Sequence, residues 1–272
     1  PMKKLSFSSA MLWFGLFFLY APMLVLVIYS FNDSKLVTVW GGFSPKWYGE
    51  LFQDQQILDA VWTSLRIAFY SSTMAVIIGT MAAFVMTRFK RSWAKLTLSN
   101  MITAPLVMPE VITGLSLLLL FVHMADLFGW PKERGMLTVW IAHSTFCAAY
   151  VAVVVSSRLR ELDMSIEEAA MDLGATPLKT FFLITVPMIS PALVAGWLLS
   201  FSLSLDDLVI ASFASGPGAT TLPMVVFSSV RLGVSPKINA LATLIILCVS
   251  LIAFLSWYMA RRAEKRDRTP MN

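Results

Sequence analysis

Long apolar runs dominate this chain, and its polar residues gather in the short stretches between them. Six runs are long enough to cross a bilayer, whose core of about 30 Å takes roughly 20 residues of helix. They lie at about 10–30, 61–87, 96–122, 136–157, 189–213 and 238–260. None alternates apolar and polar residues as a membrane β-barrel requires. The pattern predicts an all-α integral membrane protein with six transmembrane helices in one domain over residues 1–272. The first run follows Lys3 and Lys4. Its apolar core exceeds the roughly 7–15 residues of a cleaved signal, so it is read as a retained first helix.

Composition agrees. Of 272 residues, 57% are hydrophobic and 14% charged, with a mean hydropathy of +0.73. A soluble domain is about 45–50% apolar and about 25% charged. This excludes a water-soluble enzyme or a nucleic-acid binder. The pI of 9.3 reflects clusters of Lys and Arg between apolar runs, which is a topology signal. Fourteen basic residues fall on one side: Lys3, Lys4, Arg88, Lys90, Arg91, Lys95, Arg158, Arg160, Lys179 and five in the tail from Arg261 to Arg268. Six fall on the other, from Lys35 to Lys237. The positive-inside rule then places both termini in the cytoplasm. Cys147 and Cys248 lie inside apolar runs, without the spacing of a disulfide framework or metal site. His123 and His143 are too few for a histidine metal centre. No metal and no cofactor are expected on this chain.

The connection at 158–188 is longer than the others and reads as structured. Ser165 and Glu168 fit a capping box that opens a short helix. Gly174 is a natural helix stop. Thr176 and Pro177 restart a helix as cap and first residue. Pro187 and Pro191 are expected to break the path into the fifth span. By itself this is also the pattern of a surface hairpin whose Glu168 only caps its own helix. The order Glu168-Ala169-Ala170, then Gly174, then Ile184 and Pro187 resembles the coupling loop of permease subunits of bacterial ABC importers. Val186 stands where that family has Leu. The resemblance implies two short helices with an elbow that docks in a cleft of a cytoplasmic ATPase. Ala169, Ala170 and Gly174 would allow close approach, Glu168 and Asp172 would supply polar contacts, and Pro187 would complete the motif. The chain has no GxxxxGK[ST] phosphate loop. The resemblance therefore places ATP and Mg on a partner subunit.

Of sixteen acidic residues, only Glu110, Asp206 and Asp207 fall inside the predicted spans. Ionisable groups there are costly and mark functional sites by default. Glu110 is placed near the middle of the third span, beside Pro105, Pro109 and Gly114. Asp206 and Asp207 differ by about 100° on a helix, so one faces a pathway while the other bonds to a neighbour. Arg66 or His143 is expected to neutralise an acid. The alternative is that these acids are internal structural pairs. Three acids against one peripheral arginine favour a pathway for a cation, with Tyr150, Trp197 and Phe201 near enough in sequence to add cation–π contacts.

Tyr20-Ala21-Pro22, Tyr29-Ser30-Phe31-Asn32, Trp47-Tyr48, the stretch from Ala104-Pro105 to Gly114, Leu205-Asp206-Asp207 and the stretch from Ser215 to Pro223 extend the resemblance. Together they are similar to the polyamine (putrescine or spermidine) branch of these permeases. The resemblance implies a bacterial inner-membrane importer working by alternating access. Its implied partners are a homologous second permease, two copies of an ATPase and a periplasmic polyamine-binding protein. One alternative keeps the class but changes the cargo to another small cation or a metal complex. A second is a secondary transporter or channel that needs no ATPase.

Overall fold

The computed structural model describes residues 7–36, 39–89, 93–233 and 235–267. Lys3, Lys4, Lys90, Arg91 and Arg268, used above for orientation, lie outside the described residues. The helices in chain order are α1 (Phe7–Tyr29), α2 (Lys46–Gln53), α3 (Gln55–Arg88), α4 (Trp93–Val107), α5 (Glu110–Phe128), α6 (Met136–Glu161), α7 (Met164–Asp172), α8 (Pro177–Thr180), α9 (Val186–Asp206), α10 (Val209–Ala214), α11 (Leu222–Leu232) and α12 (Pro236–Asp267). A π-helical turn, Phe181–Thr185, joins α8 to α9. Among the described residues, β pairing is confined to one isolated bridge between Asn32 and Phe43.

Among the described residues, six helical stretches are long and apolar enough to cross a membrane: Phe7–Tyr29, Gln55–Arg88, Glu110–Phe128, Met136–Glu161, Pro177–Asp206 and Pro236–Leu255. The number agrees with the sequence reading, but two of the boundaries do not. The third run, expected as one helix over 96–122, is two helices. The chain bends at Met108, and Pro109 starts α5 in an extended conformation (φ −57°, ψ 135°). Pro109 has no N–H for the carbonyl four residues back, and Pro105 already weakens that turn. The crossing therefore begins at Glu110 and runs on to Phe128, where Gly129 stops it at φ +66°.

The fifth run, expected at 189–213, ends early at Asp206 and resumes as the separate α10. At its other end it is longer than expected. Pro187 and Pro191 do not break it: α8, the π turn and α9 follow one another without a gap. Pro187 follows directly on the π turn, after the Val186 N–H has bonded the Phe181 carbonyl five residues back, so its missing N–H falls where the helical bonding changes register. The carbonyl that Pro191 leaves unpaired, that of Pro187, accepts the Ser190 hydroxyl at 2.8 Å.

The chain packs as two units, Leu58–Val225 and the pair of segments Pro1–Ile57 with Val226–Asn272. In the first, α6 is the central helix. Its Val151, Val155 and Leu159 pack with Ala75, Ala83 and Ile189, while Val139 and Ala142 pack with Ile67, Phe121 and Ile210. Small residues set the spacing. A Cβ on Gly79 would stand 2.7 Å from Val151 Cβ, so α3 touches α6 there with no room for a side chain.

In the second unit, Trp47 of α2 is buried and donates its indole N–H to the Asn32 carbonyl at 2.6 Å. Lys237 pairs with Asp54 at 2.9 Å and fastens the end of α2 to the start of α12. That ammonium holds the Asp54 carboxyl below its usual range. Helix α1 buries none of its side chains, leaving an apolar surface suited to lipid.

Candidate functional site

The loop after α6 folds as a helix, an elbow and a second short helix. Its cap differs from the expected box of Ser165 and Glu168. Asp163 is the N-cap, and its Oδ1 accepts the Ser165 N–H at 2.9 Å. That bond holds the Asp163 carboxyl below its ordinary value. An aspartate two residues earlier thus takes the donor and starts α7 at Met164. Gly174 makes the elbow at φ +90°, which a side chain resists. Thr176 then caps α8, with Pro177 at its first position. Glu168, Ala169, Asp172 and Gly174 are all exposed, and Ala170 is half-buried. Leu173 is 90% exposed and Leu178 71%. Pro187 belongs to α9, outside the elbow itself.

The opposite face of α7 carries a residue that sequence reasoning passed over. Glu167 Oε1 accepts Arg88 Nη2 at 2.9 Å, Arg88 Nε at 3.3 Å and the Thr185 hydroxyl at 3.0 Å. Arg88 Nη1 also donates to the Leu159 carbonyl at 3.2 Å. The Arg88 and Glu167 side chains are only 8% and 13% exposed. The one signal in the sequence was the second glutamate beside Glu168. Its partners come from two other helical segments, α3 and the π turn, which no local pattern reveals.

The three candidate membrane acids separate. Glu110 opens α5 at an exposed position instead of mid-span, because the helix starts there. Asp206 is the last residue of α9 and is exposed, whereas Asp207 is buried. Asp207 caps α10, accepting the N–H of Ala211 at 2.7 Å and of Ile210 at 3.3 Å. Its Oδ2 also stands 3.1 Å from His143 Nε2. His143 Nδ1 contacts Ser204 Oγ at 2.7 Å, and Ser204 in turn accepts from Ser71 at 3.1 Å. Asp207 and His143 thus belong to a buried polar chain linking α3, α6, α9 and α10. Arg66 does not neutralise either aspartate. Its guanidinium lies 4.7 Å from the Trp62 ring centre.

Aromatic residues gather where α3 and α9 run together. Trp197 stacks on Phe201 with centres 5.1 Å apart, meets Phe69 edge-on at 5.8 Å, and donates to Thr73 at 3.2 Å. A groove of about 520 Å³ beside them is lined by Trp62, Leu65, Arg66, Phe69, Tyr70 and Phe201. Tyr150 is half-buried on α6 against Phe146 and is not among those lining residues.

Residues 75–268 match the family described as binding-protein-dependent transport system inner membrane component. The chain belongs to this family. This inner-membrane component is 65% identical over 266 residues to the putrescine transport system permease protein PotI of Escherichia coli strain K12, covering 98% of this chain and 95% of that protein. It is 38% identical to the spermidine/putrescine transport system permease protein PotC of the same strain, over 93% of this chain and 92% of that one. Its fold is also that of a bacterial ABC transporter importing the acidic polysaccharide alginate, with a TM-score of 0.71 at 15% identity, covering 93% of this chain and 94% of that chain. The inner-membrane component is therefore a multi-pass member of a binding-protein-dependent transport system, with the fold seen in that ABC transporter.

Proposed function

We propose that this chain is the permease subunit of an ATP-driven importer that moves putrescine, spermidine or both from periplasm to cytoplasm by alternating access. The observation that carries this is the 65% identity to a putrescine permease across 98% of the chain. Its partners are a homologous second permease, two copies of a cytoplasmic ATPase that bind ATP and Mg, and a periplasmic polyamine-binding protein. Residues 1–272 act as one permease domain in the bacterial inner membrane, with both termini in the cytoplasm.

The exposed face of the elbow, with Glu168, Ala169, Ala170, Asp172 and Gly174, docks the ATPase, and Pro187 anchors the base of α9. With ATP bound, the bundle opens outward and accepts cargo; after hydrolysis it returns inward. Asp206 meets an ammonium end of the polyamine, and Trp197 and Phe201 offer ring faces, each such cation–π contact adding about 0.5–2 kcal/mol. Glu110 supplies a second acidic point at the break before α5. Asp207, held inside by its helix cap and His143, shapes the path without meeting cargo.

The test is uptake of radiolabelled putrescine and spermidine in bacteria lacking their own polyamine importers and carrying this chain with its partners. Wild type takes up at least one polyamine saturably, and Glu168→Arg abolishes uptake. Asp206→Asn raises KM about tenfold, the scale of losing a charged hydrogen bond. A wild-type complex that assembles but carries neither polyamine overturns the cargo assignment.

A further inference from the structure

We infer that Glu167 is the positioning residue through which the elbow moves the transport helices. The inference rests on the reading of α7 and α8 as the ATPase-docking elbow. Successive helical residues point about 100° apart. Glu168 faces outward, so Glu167 can turn to the bundle, and its contacts establish that it does. One carboxylate oxygen gathers the cytoplasmic end of α3 through Arg88 and the π turn leading into α9 through Thr185. Arg88 ties the same point to the last turn of α6 through the Leu159 carbonyl.

Helix α7 buries none of its side chains, so apolar packing does not lock it in place. Charge-assisted bonds from a guanidinium fork are directional as well as strong. A push or pull on the elbow therefore reaches the helix ends through Glu167 instead of slipping past them. The two helices it holds are the ones that bear the aromatic groove and the exposed acid. Helix α3 carries Trp62, Phe69 and Tyr70, while α9 carries Trp197, Phe201 and Asp206. The π turn joins α8 to α9, and such turns recur at functional sites in helices. Thr185 sits in it, buried to 1% exposure, with its hydroxyl on Glu167.

The experiment uses the complete complex in proteoliposomes, with binding protein and putrescine, and reads ATP hydrolysis and uptake together. ATPase retained on purification reports assembly. Glu167→Gln keeps the size and the acceptor oxygen but removes the charge. It is expected to assemble and to hydrolyse ATP within about twofold of wild type, while uptake per ATP falls about tenfold, in the range of inter-site coupling. Glu168→Arg differs by losing the ATPase itself. The exchange Arg88→Glu with Glu167→Arg restores part of the coupling. Uptake and hydrolysis falling in equal proportion in Glu167→Gln, or an unchanged ratio, overturns the inference.

Should Glu167→Gln fail to reach the membrane, Thr185→Val removes one bond and leaves the ion pair. It is expected to lower uptake per ATP about fivefold, at the low end of such coupling, and an unchanged ratio overturns the inference. A wild-type complex without ATP-dependent uptake overturns the functional proposal and this inference together. A coupled wild type with equally coupled variants overturns this inference alone.

Discussion

Two adjacent aspartates at the end of α9 have different surroundings. Asp207 is used up by the start of α10 and by His143, whereas Asp206 remains exposed. Both were legible in the sequence as rare intramembrane acids. Which of them was free was not, because the cap and the histidine that engage Asp207 depend on where α9 stops and on a helix far away in the chain. Gly174 was legible for a simpler reason: a helix stop of this kind is local chemistry. Its φ of +90° lies in the region that L residues resist. Gly174→Ala is expected to cost about 1–2 kcal/mol, read as a lower thermal unfolding midpoint of the purified protein. An unchanged midpoint would mean that the elbow relaxes to another backbone conformation.

At the scale of elements, α7 depends on its cap. The Ser165 N–H lowers the Asp163 carboxyl relative to its unfolded value. A carboxylate lowered on folding stabilises above its unfolded pKa, near 4. That contribution is lost as pH falls through the lower folded value. The first turn of α7 is therefore expected to fray below about pH 4, seen as faster hydrogen exchange at Ser165 and Ile166 after correction for intrinsic rates. Asp163→Asn keeps an oxygen acceptor without a titrating charge, so it removes this pH step. Capping itself was readable from the sequence, but its owner was not: Asp163 takes the Ser165 N–H that the expected box assigned to Glu168, and only backbone geometry decided.

Helix contact makes a second prediction at this scale. Gly79→Val forces a side chain into the α3–α6 contact, where even a Cβ would stand 2.7 Å from Val151. Overpacking of this kind costs about 1–3 kcal/mol. A lower unfolding midpoint and lower membrane yield are expected, and a wild-type midpoint would mean that α3 and α6 separate without cost.

At the scale of the whole molecule, the sidedness of the loops is open to a direct test. The proposed orientation has cytoplasmic termini, and it puts the elbow on the cytoplasmic side as well. Glu50 on α2 and Lys179 on α8 are both exposed, so each suits chemical labelling. With Cys147 and Cys248 replaced by serine, Glu50→Cys is expected to react with a membrane-impermeant maleimide on intact spheroplasts. Lys179→Cys is expected to react only after permeabilisation. The reverse pattern would invert the topology and remove the elbow from the ATPase.

By itself the sequence determined the all-helical membrane class, the six crossings, and the elbow between α7 and α8. These properties are local: apolar length, motif spacing, and glycine or proline chemistry act without knowledge of distant residues. Tertiary structure decided the rest. Hydropathy joined α4 to α5 because it counts apolar side chains and does not register backbone N–H groups missing at Pro105 and Pro109. Burial separated Asp206 from Asp207. The grip of Glu167 on Arg88 and Thr185 arises only when α3, α7 and the π turn before α9 meet, since a charge can be held inside a protein only by partners that folding brings to it.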